Sequence, residues 1–189
     1  MAQIFDHITE EMKAFISEQH LFFVATAPLS ADGHVNLSPK GMDSFRIIGE
    51  NRVGYADMTG SGNETSAHIT ENGRITFMFC GFEGKADIIR LYGTGRAVLP
   101  DTPEWDALIG HFPSIISTRQ LIIADIHRTQ SSCGYAVPFM GYKGNRESLV
   151  KYWQAKGEDT LPTYWEEKNS TTIDGIPTPI GRALQNDDD

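Results

Sequence analysis

Apolar and polar positions follow a helical period at the start of the chain and an extended one soon after. Ile4, Phe5, Ile8, Met12, Phe15 and Ile16 recur at helical spacing, with Asp6, Glu10, Glu11 and Lys13 between them. That spacing predicts an amphipathic helix laid on an apolar partner, as a lid or a dimer helix. The segments 21–27, 34–37, 45–48, 52–56, 74–79 and 88–99 are instead rich in aromatic and β-branched residues, and each predicts a strand. Turn residues separate them at Ala31-Asp32-Gly33, which reads as a hairpin turn, at Gly49-Glu50-Asn51 and from Gly81 to Gly84. Gly93-Thr94-Gly95, inside a predicted strand, marks a bulge or a close backbone approach.

Farther on, Asp101-Thr102-Pro103-Glu104 has a helix-start pattern, with Asp101 as the capping residue and Glu104 three positions later. Leu121 to His127 reads as a late strand, and Ser131 to Pro138 as an irregular segment suited to a crossover. Leu149, Tyr152 and Trp153 predict a helix over 146–155, and Tyr164 to Lys168 a shorter one. Many short strands, interrupted once by a helix at Asn63, favour a closed antiparallel sheet over a sandwich, because closure removes exposed edges. The expectation is therefore one α+β domain over 1–189: an antiparallel barrel with flanking helices, a helical extension from about 144, and a disordered acidic tail over 185–189.

Composition narrows the function. At 189 residues, 40% hydrophobic and 22% charged, the chain suits one soluble domain. A formal charge of −9 opposes binding to a nucleic-acid backbone, which needs a basic face. No apolar run approaches a membrane span, and the first residues lack the basic region and apolar core of an export signal, so a cytoplasmic location is expected. Cys80 and Cys133 make no disulfide framework and no Cys-x-x-Cys motif; a small buried thiol is the expectation for Cys133. The six histidines are spread without metal-ligand spacing, so no metal is expected. His68 reads as helix surface or as a hydrogen bonder behind a site, and Arg90 and Arg96 as surface arginines on a strand.

Candidate chemistry centres on Tyr55-Ala56-Asp57-Met58-Thr59-Gly60-Ser61-Gly62-Asn63-Glu64-Thr65-Ser66-Ala67-His68-Ile69, where a glycine turn runs into a short helix. Free N–H groups at a helix start, with the positive end of the helix dipole, attract an anion. Asn63 is suited to the N-cap position, and Thr65 and Ser66 add hydroxyls in the first turn, so the three could hold a phosphate. The run is neither a dinucleotide fingerprint, since Thr65 stands where the third glycine would be, nor a P-loop, since no Lys-Ser/Thr follows.

The flanking strands give this segment a context. His34-Val35-Asn36-Leu37-Ser38-Pro39-Lys40-Gly41, then Gly62 to His68, Asn72-Gly73-Arg74-Ile75-Thr76-Phe77-Met78-Phe79 and Arg90 to Ala97 resemble, in order and spacing, the pyridoxamine 5'-phosphate oxidase-like family of FMN-binding split barrels. The resemblance covers roughly residues 5 to 100, with a weaker echo over 132–138. It implies a split-barrel homodimer with FMN at the subunit interface, a small-molecule substrate and possible use of NAD(P)H, with the redox chemistry carried by the cofactor and no catalytic side chain assigned. It also implies a cofactor site drawn from Asn36, Ser38, Pro39, Lys40, Gly41, Ala56, Asp57, Gly62, Asn63, Thr65 and Ser66.

Two departures matter. Glu64-Thr65 stands where the family's best-known enzymes have an Arg-Lys pair, so Lys40, in a Ser38-Pro39-Lys40-Gly41 turn, is the expected phosphate cation and Glu64 should point away from the anion. The Arg-x-His substrate motif and Arg-Leu-Ala/Ser-Pro-type ending of true pyridoxamine 5'-phosphate oxidases are replaced by Gly181-Arg182-Ala183-Leu184-Gln185, which argues against vitamin B6 as substrate. The alternatives are a non-catalytic flavin-binding or storage protein and a haem-handling split barrel.

Overall fold

In the computed structural model, residues 2–186 are described. Eight strands and six helices follow one another as β1 (Gln3–Phe5), α1 (Glu10–Ser17), β2 (Phe22–Thr26), β3 (Asn36–Lys40), β4 (Phe45–Ile47), β5 (Arg52–Met58), α2 (Glu64–Asn72), β6 (Arg74–Cys80), β7 (Asp87–Val98), α3 (Pro103–Leu108), β8 (Thr118–Cys133), α4 (Ser148–Lys156), α5 (Leu161–Asn169) and α6 (Pro179–Asn186). The strands make one antiparallel sheet in the order β3-β2-β6-β7-β8-β5-β4, with β1 added on β8. The sheet curls into a half-barrel with helices against it. Its ladder has two ends, β3 and β4, so the predicted closure is incomplete and the barrel is split.

Alternation builds the core. Phe22 and Val24 on β2, Val53 and Tyr55 on β5, Ile75, Phe77 and Phe79 on β6, Ile89 and Leu91 on β7, and Ile122, Ala124 and Ile126 on β8 all turn inward. Met12, Phe15 and Ile16 of α1, with Ile8, close this interior, which is the lid role that the helical spacing suggested. The middle of β8 is buried on both faces. Leu121 and Ile123 point the other way, into a second cluster with Ala56, Val98 and Phe112, covered by Trp105, Leu108 and Ile109. Burial on two sides is why Leu121-Ile122-Ile123-Ala124 is apolar without alternation.

Long strands need a device to bend. β7 and β8 shift register between Tyr92 and Gly93, at the predicted bulge, where a Cβ on Gly93 would lie 2.7 Å from the Asp125 carbonyl oxygen. Gly73 ends α2 in the left-handed conformation at φ 71°, where its N–H donates to the Ile69 carbonyl at 2.8 Å.

Several boundaries differ from the sequence reading. Ile4 and Phe5 are in strand β1, pairing with Gln130 and Thr129, and the helix begins only after Thr9, whose side chain accepts from the Met12 N–H. The β3 strand begins two residues later than predicted and runs through Ser38-Pro39-Lys40, which is strand and not turn. Pro39 is tolerated because β3 ends the ladder, so no outer partner needs its missing N–H. Helix α3 is capped by Thr102, which accepts from the Trp105 N–H at 3.2 Å, and not by Asp101; Glu104 instead pairs with Arg96. The β8 strand continues to Cys133, taking in the start of the segment expected to be irregular, and leaves that thiol exposed and not buried. Gln185 and Asn186 belong to α6, whereas 187–189, the rest of the expected disordered tail, lie outside the described residues.

Candidate functional site

Strand alternation places Asn36, Ser38 and Lys40 on one side of β3, while Leu37 and Pro39 face the exposed side, where Val35, just before the strand, is also exposed. The first group meets the start of α2. The Asn36 side-chain amide donates to Thr65 Oγ1 at 3.0 Å, and Ser38 Oγ donates to Asn36 Oδ1 at 3.0 Å. Behind them, Thr26 Oγ1 lies 3.1 Å from Nδ1 of His68, which is fully buried on the inner face of α2. Burial holds the His68 imidazole below its ordinary pKa and keeps it neutral.

Lys40 reaches inward across the Tyr55 ring to Asp57, with Nζ 5.4 Å from the ring centroid and 2.8 Å from the carboxylate. Asp57 is 2% exposed and accepts two further hydrogen bonds on its second oxygen, from Arg119 Nε at 2.9 Å and from Gln120 Nε2 at 2.8 Å. Burial alone would raise this carboxyl, but the Arg119 guanidinium and the Lys40 ammonium outweigh it and hold the group well below the usual carboxylate range. Tyr55 is pushed well above the ordinary phenol value by burial and by the Asp57 charge, so it stays neutral.

Asn63 occupies the N-cap position of α2, but its side chain does not cap the helix. Its Oδ1 accepts from Ser66 Oγ and from Gln120 Nε2, each at 2.8 Å, and its amide donates to the Asn169 carbonyl at 3.2 Å. The cap is forfeited to this network. The first-turn N–H groups of α2 are left without the oxygen that an Asn N-cap ordinarily offers them. Glu64 does not point away from the loop: its carboxylate folds back over Gly62, where a Cβ would collide with it.

The C-terminal helices hold the loop from the other side. Trp165 Nε1 donates to Thr59 Oγ1 at 2.8 Å, and Asn169 Nδ2 to the Gly60 carbonyl at 2.9 Å. His34 Nδ1 meets Asp174 Oδ1 at 2.6 Å, tying the approach to β3 to the same extension.

The structure thus brings together Asn36, Ser38, Lys40, Asp57, Gly62, Asn63, Thr65 and Ser66. Ala56 is not among them, because it faces the second apolar cluster; Pro39 faces outward, and Gly41 lines a separate cavity of about 250 Å³ with Lys13, Phe22 and Phe79. Arg119 and Gln120 are among the residues that sequence reasoning missed. Their signal was two long polar side chains directly preceding a four-residue apolar run that is buried on both faces.

A half-barrel sheet with a polar cluster at the helix start defines a split-barrel protein. A model of the pyridoxamine 5'-phosphate oxidase family matches residues 8–133, and the chain belongs to that family. A pyridoxamine 5'-phosphate oxidase family protein of Aspergillus flavus, ustO, is 33% identical over 196 residues, covering 94% of this chain and 78% of the relative. That match runs into the C-terminal helices, beyond the end of the family model. Among solved structures, HupZ of Group A Streptococcus is 26% identical with a TM-score of 0.50, over 65% of this chain and 91% of that one. A structure described as a putative pyridoxamine 5'-phosphate oxidase from Lactobacillus delbrueckii has the same fold at 15% identity, with a TM-score of 0.50 over 66% of this chain and 94% of that one.

Proposed function

We propose that this chain binds FMN and uses it in the oxidoreduction of a small molecule. One observation carries the reading beyond family membership: the N-terminus of α2, uncapped by its own side chain, lies beside the polar side of β3. Such a terminus suits a phosphate, because free N–H groups and the helix dipole both favour negative charge. Thr65 supplies a hydroxyl there, and Lys40, 19% exposed at the edge of the cluster, supplies a cation. Asn36 and Ser38 present an amide and a hydroxyl to the adjoining space, the few placed polar groups that orient a largely apolar ring. FMN, when bound, supplies the electron transfer itself. The protein's share is to hold the phosphate, orient the ring and shield it.

Assembly belongs to the same reading. Leu37, 61% exposed, stands on β3, whose outer edge is unpaired among the described residues, Val35, 73% exposed, directly precedes it, and a second copy would cover both. Among the described residues no helix is long and apolar enough to cross a membrane. The test is the absorbance of the purified protein, with its ligand identified by mass spectrometry. Flavin bands that bleach with NADH or NADPH and recover with an acceptor support an oxidoreductase. Flavin bands that no reductant changes would make the protein a binder, and their absence after reconstitution with FMN would overturn the cofactor.

A further inference from the structure

Arg119 is 3% exposed, and its guanidinium is only partly used. Nε donates to Asp57 and Nη2 donates to the Gly62 carbonyl at 2.7 Å, while Nη1, buried on the same planar group, has no partner among the described residues. A buried cationic donor left unpaired is costly, and native structures seldom retain one without a ligand or ordered water to complete it. The charge count agrees. Asp57 brings one negative charge to the two positive charges of Lys40 and Arg119, an excess of one that only the nearby Glu64 carboxylate offsets.

The position of this donor is specific. Through the Gly62 carbonyl the guanidinium is fastened to the residue that precedes Asn63 at the α2 N-cap, so the side chain that carries the orphaned donor is tied to the uncapped helix start. A negative group already lies there, since the Glu64 carboxylate folds over Gly62. Next to it Gly60 has open space where a Cβ would be, which leaves the loop approachable.

We infer that Arg119, reaching from β8, is the anchoring cation for a phosphate monoester at the Gly60–Ser66 loop, and that it takes the place of the missing Arg-Lys pair on the helix. Asp57 positions it, and Lys40 closes the site from the solvent side. The anion displaces the Glu64 carboxylate and accepts from Nη1 and from the first-turn N–H groups. For FMN as the particular monoester, this inference rests on the function proposed above.

The test compares FMN, riboflavin and inorganic phosphate on the full-length protein and on Arg119→Lys, which keeps a charge for Asp57 but loses the planar fork. FMN affinity should fall at least tenfold in Arg119→Lys and riboflavin affinity less than twofold, and millimolar phosphate should raise the melting temperature of the wild-type protein but not of the variant. If Arg119→Lys does not fold, the paired change Asp57→Asn with Arg119→Gln removes both charges at once and is read in the same way. A folded variant that binds FMN as tightly as wild type, or loses FMN and riboflavin equally, overturns the inference. Should the wild-type protein bind neither flavin, the flavin reading falls and phosphate alone decides. Stabilisation that the variant lacks then upholds the anion site, and an equal response, including none, overturns it.

Discussion

Asp57 concentrates the energetics of the site, because one buried carboxylate is shared by a lysine, an arginine and a glutamine. Removing one partner from such a buried set leaves the others uncompensated, so Asp57→Asn should cost about 3–5 kcal/mol in denaturant unfolding at neutral pH. The acid dependence has a definite sign. The folded-state pKa lies below the unfolded value of about 3.9, so the cluster's contribution is complete above that value and is lost as pH falls below it. The stability gap between wild type and Asp57→Asn should therefore narrow from pH 5 towards pH 2; a constant gap would mean that the carboxyl is not ionised in the fold. Lys40 and Thr65 are tested by ligand instead. Lys40→Ala should weaken FMN by about 1.5–3 kcal/mol, and Thr65→Val, which also removes the acceptor for Asn36, by about 0.5–1.5 kcal/mol. Riboflavin, without the phosphate, should be nearly indifferent to Lys40→Ala, and equal losses for the two ligands would remove Lys40 from the phosphate site.

At the scale of elements, the glycine loop is held by segments far apart in sequence. Its Gly60 carbonyl accepts from Asn169 on α5, and its Gly62 carbonyl from Arg119 on β8. Asn169→Ala removes one of these clamps and leaves a part-buried carbonyl without its donor, at a cost of about 0.5–1.5 kcal/mol. Hydrogen exchange over residues 59–64 should then quicken while exchange in β6 and β7 is unchanged; a uniform increase would show global destabilisation and not a released loop. This arrangement also explains what the sequence could and could not convey. Period and turn residues located the strands from β2 to β7, the loop and α2, because those signals are local. Asn63, Thr65, Ser66 and Asp57 were legible for the same reason, as a contiguous run. Arg119, Gln120 and Asn169 were not, since they reach the site through strand pairing and helix docking across more than 50 positions. The missed cap of α2 has the same origin: Asn63 is a good capping residue in isolation, but Gln120 and Ser66 take its oxygen.

For the whole molecule, the open question posed by the fold is what covers β3. Among the described residues the sheet ends there, with one backbone edge unpaired and with Val35 and Leu37 turned outward beside Pro39. Exposed edges with apolar side chains invite pairing, and native proteins blunt or cover them. Pro39 guards only one position. The segment following β8 adds Tyr135 and Phe139, 88% and 85% exposed, so the apolar surface left uncovered is larger than one edge strand. With a formal charge of −9 the chain resists indiscriminate association, which makes a specific partner surface the better explanation of that exposure. A second copy, as proposed above, would supply it. Burying one leucine side chain contributes about 1.5–3 kcal/mol, counted twice in a symmetric dimer, so Leu37→Lys should shift the protein from dimer to monomer at low micromolar concentration. The substitution faces solvent in the isolated chain and should leave the unfolding free energy per protomer almost unchanged. If the ring site is shared between copies, association and cofactor retention are linked, and the monomeric variant should release FMN on dilution where wild type keeps it. Sedimentation of FMN-loaded wild type as a monomer at that concentration would show that β3 is left open, and that one protomer holds the flavin alone.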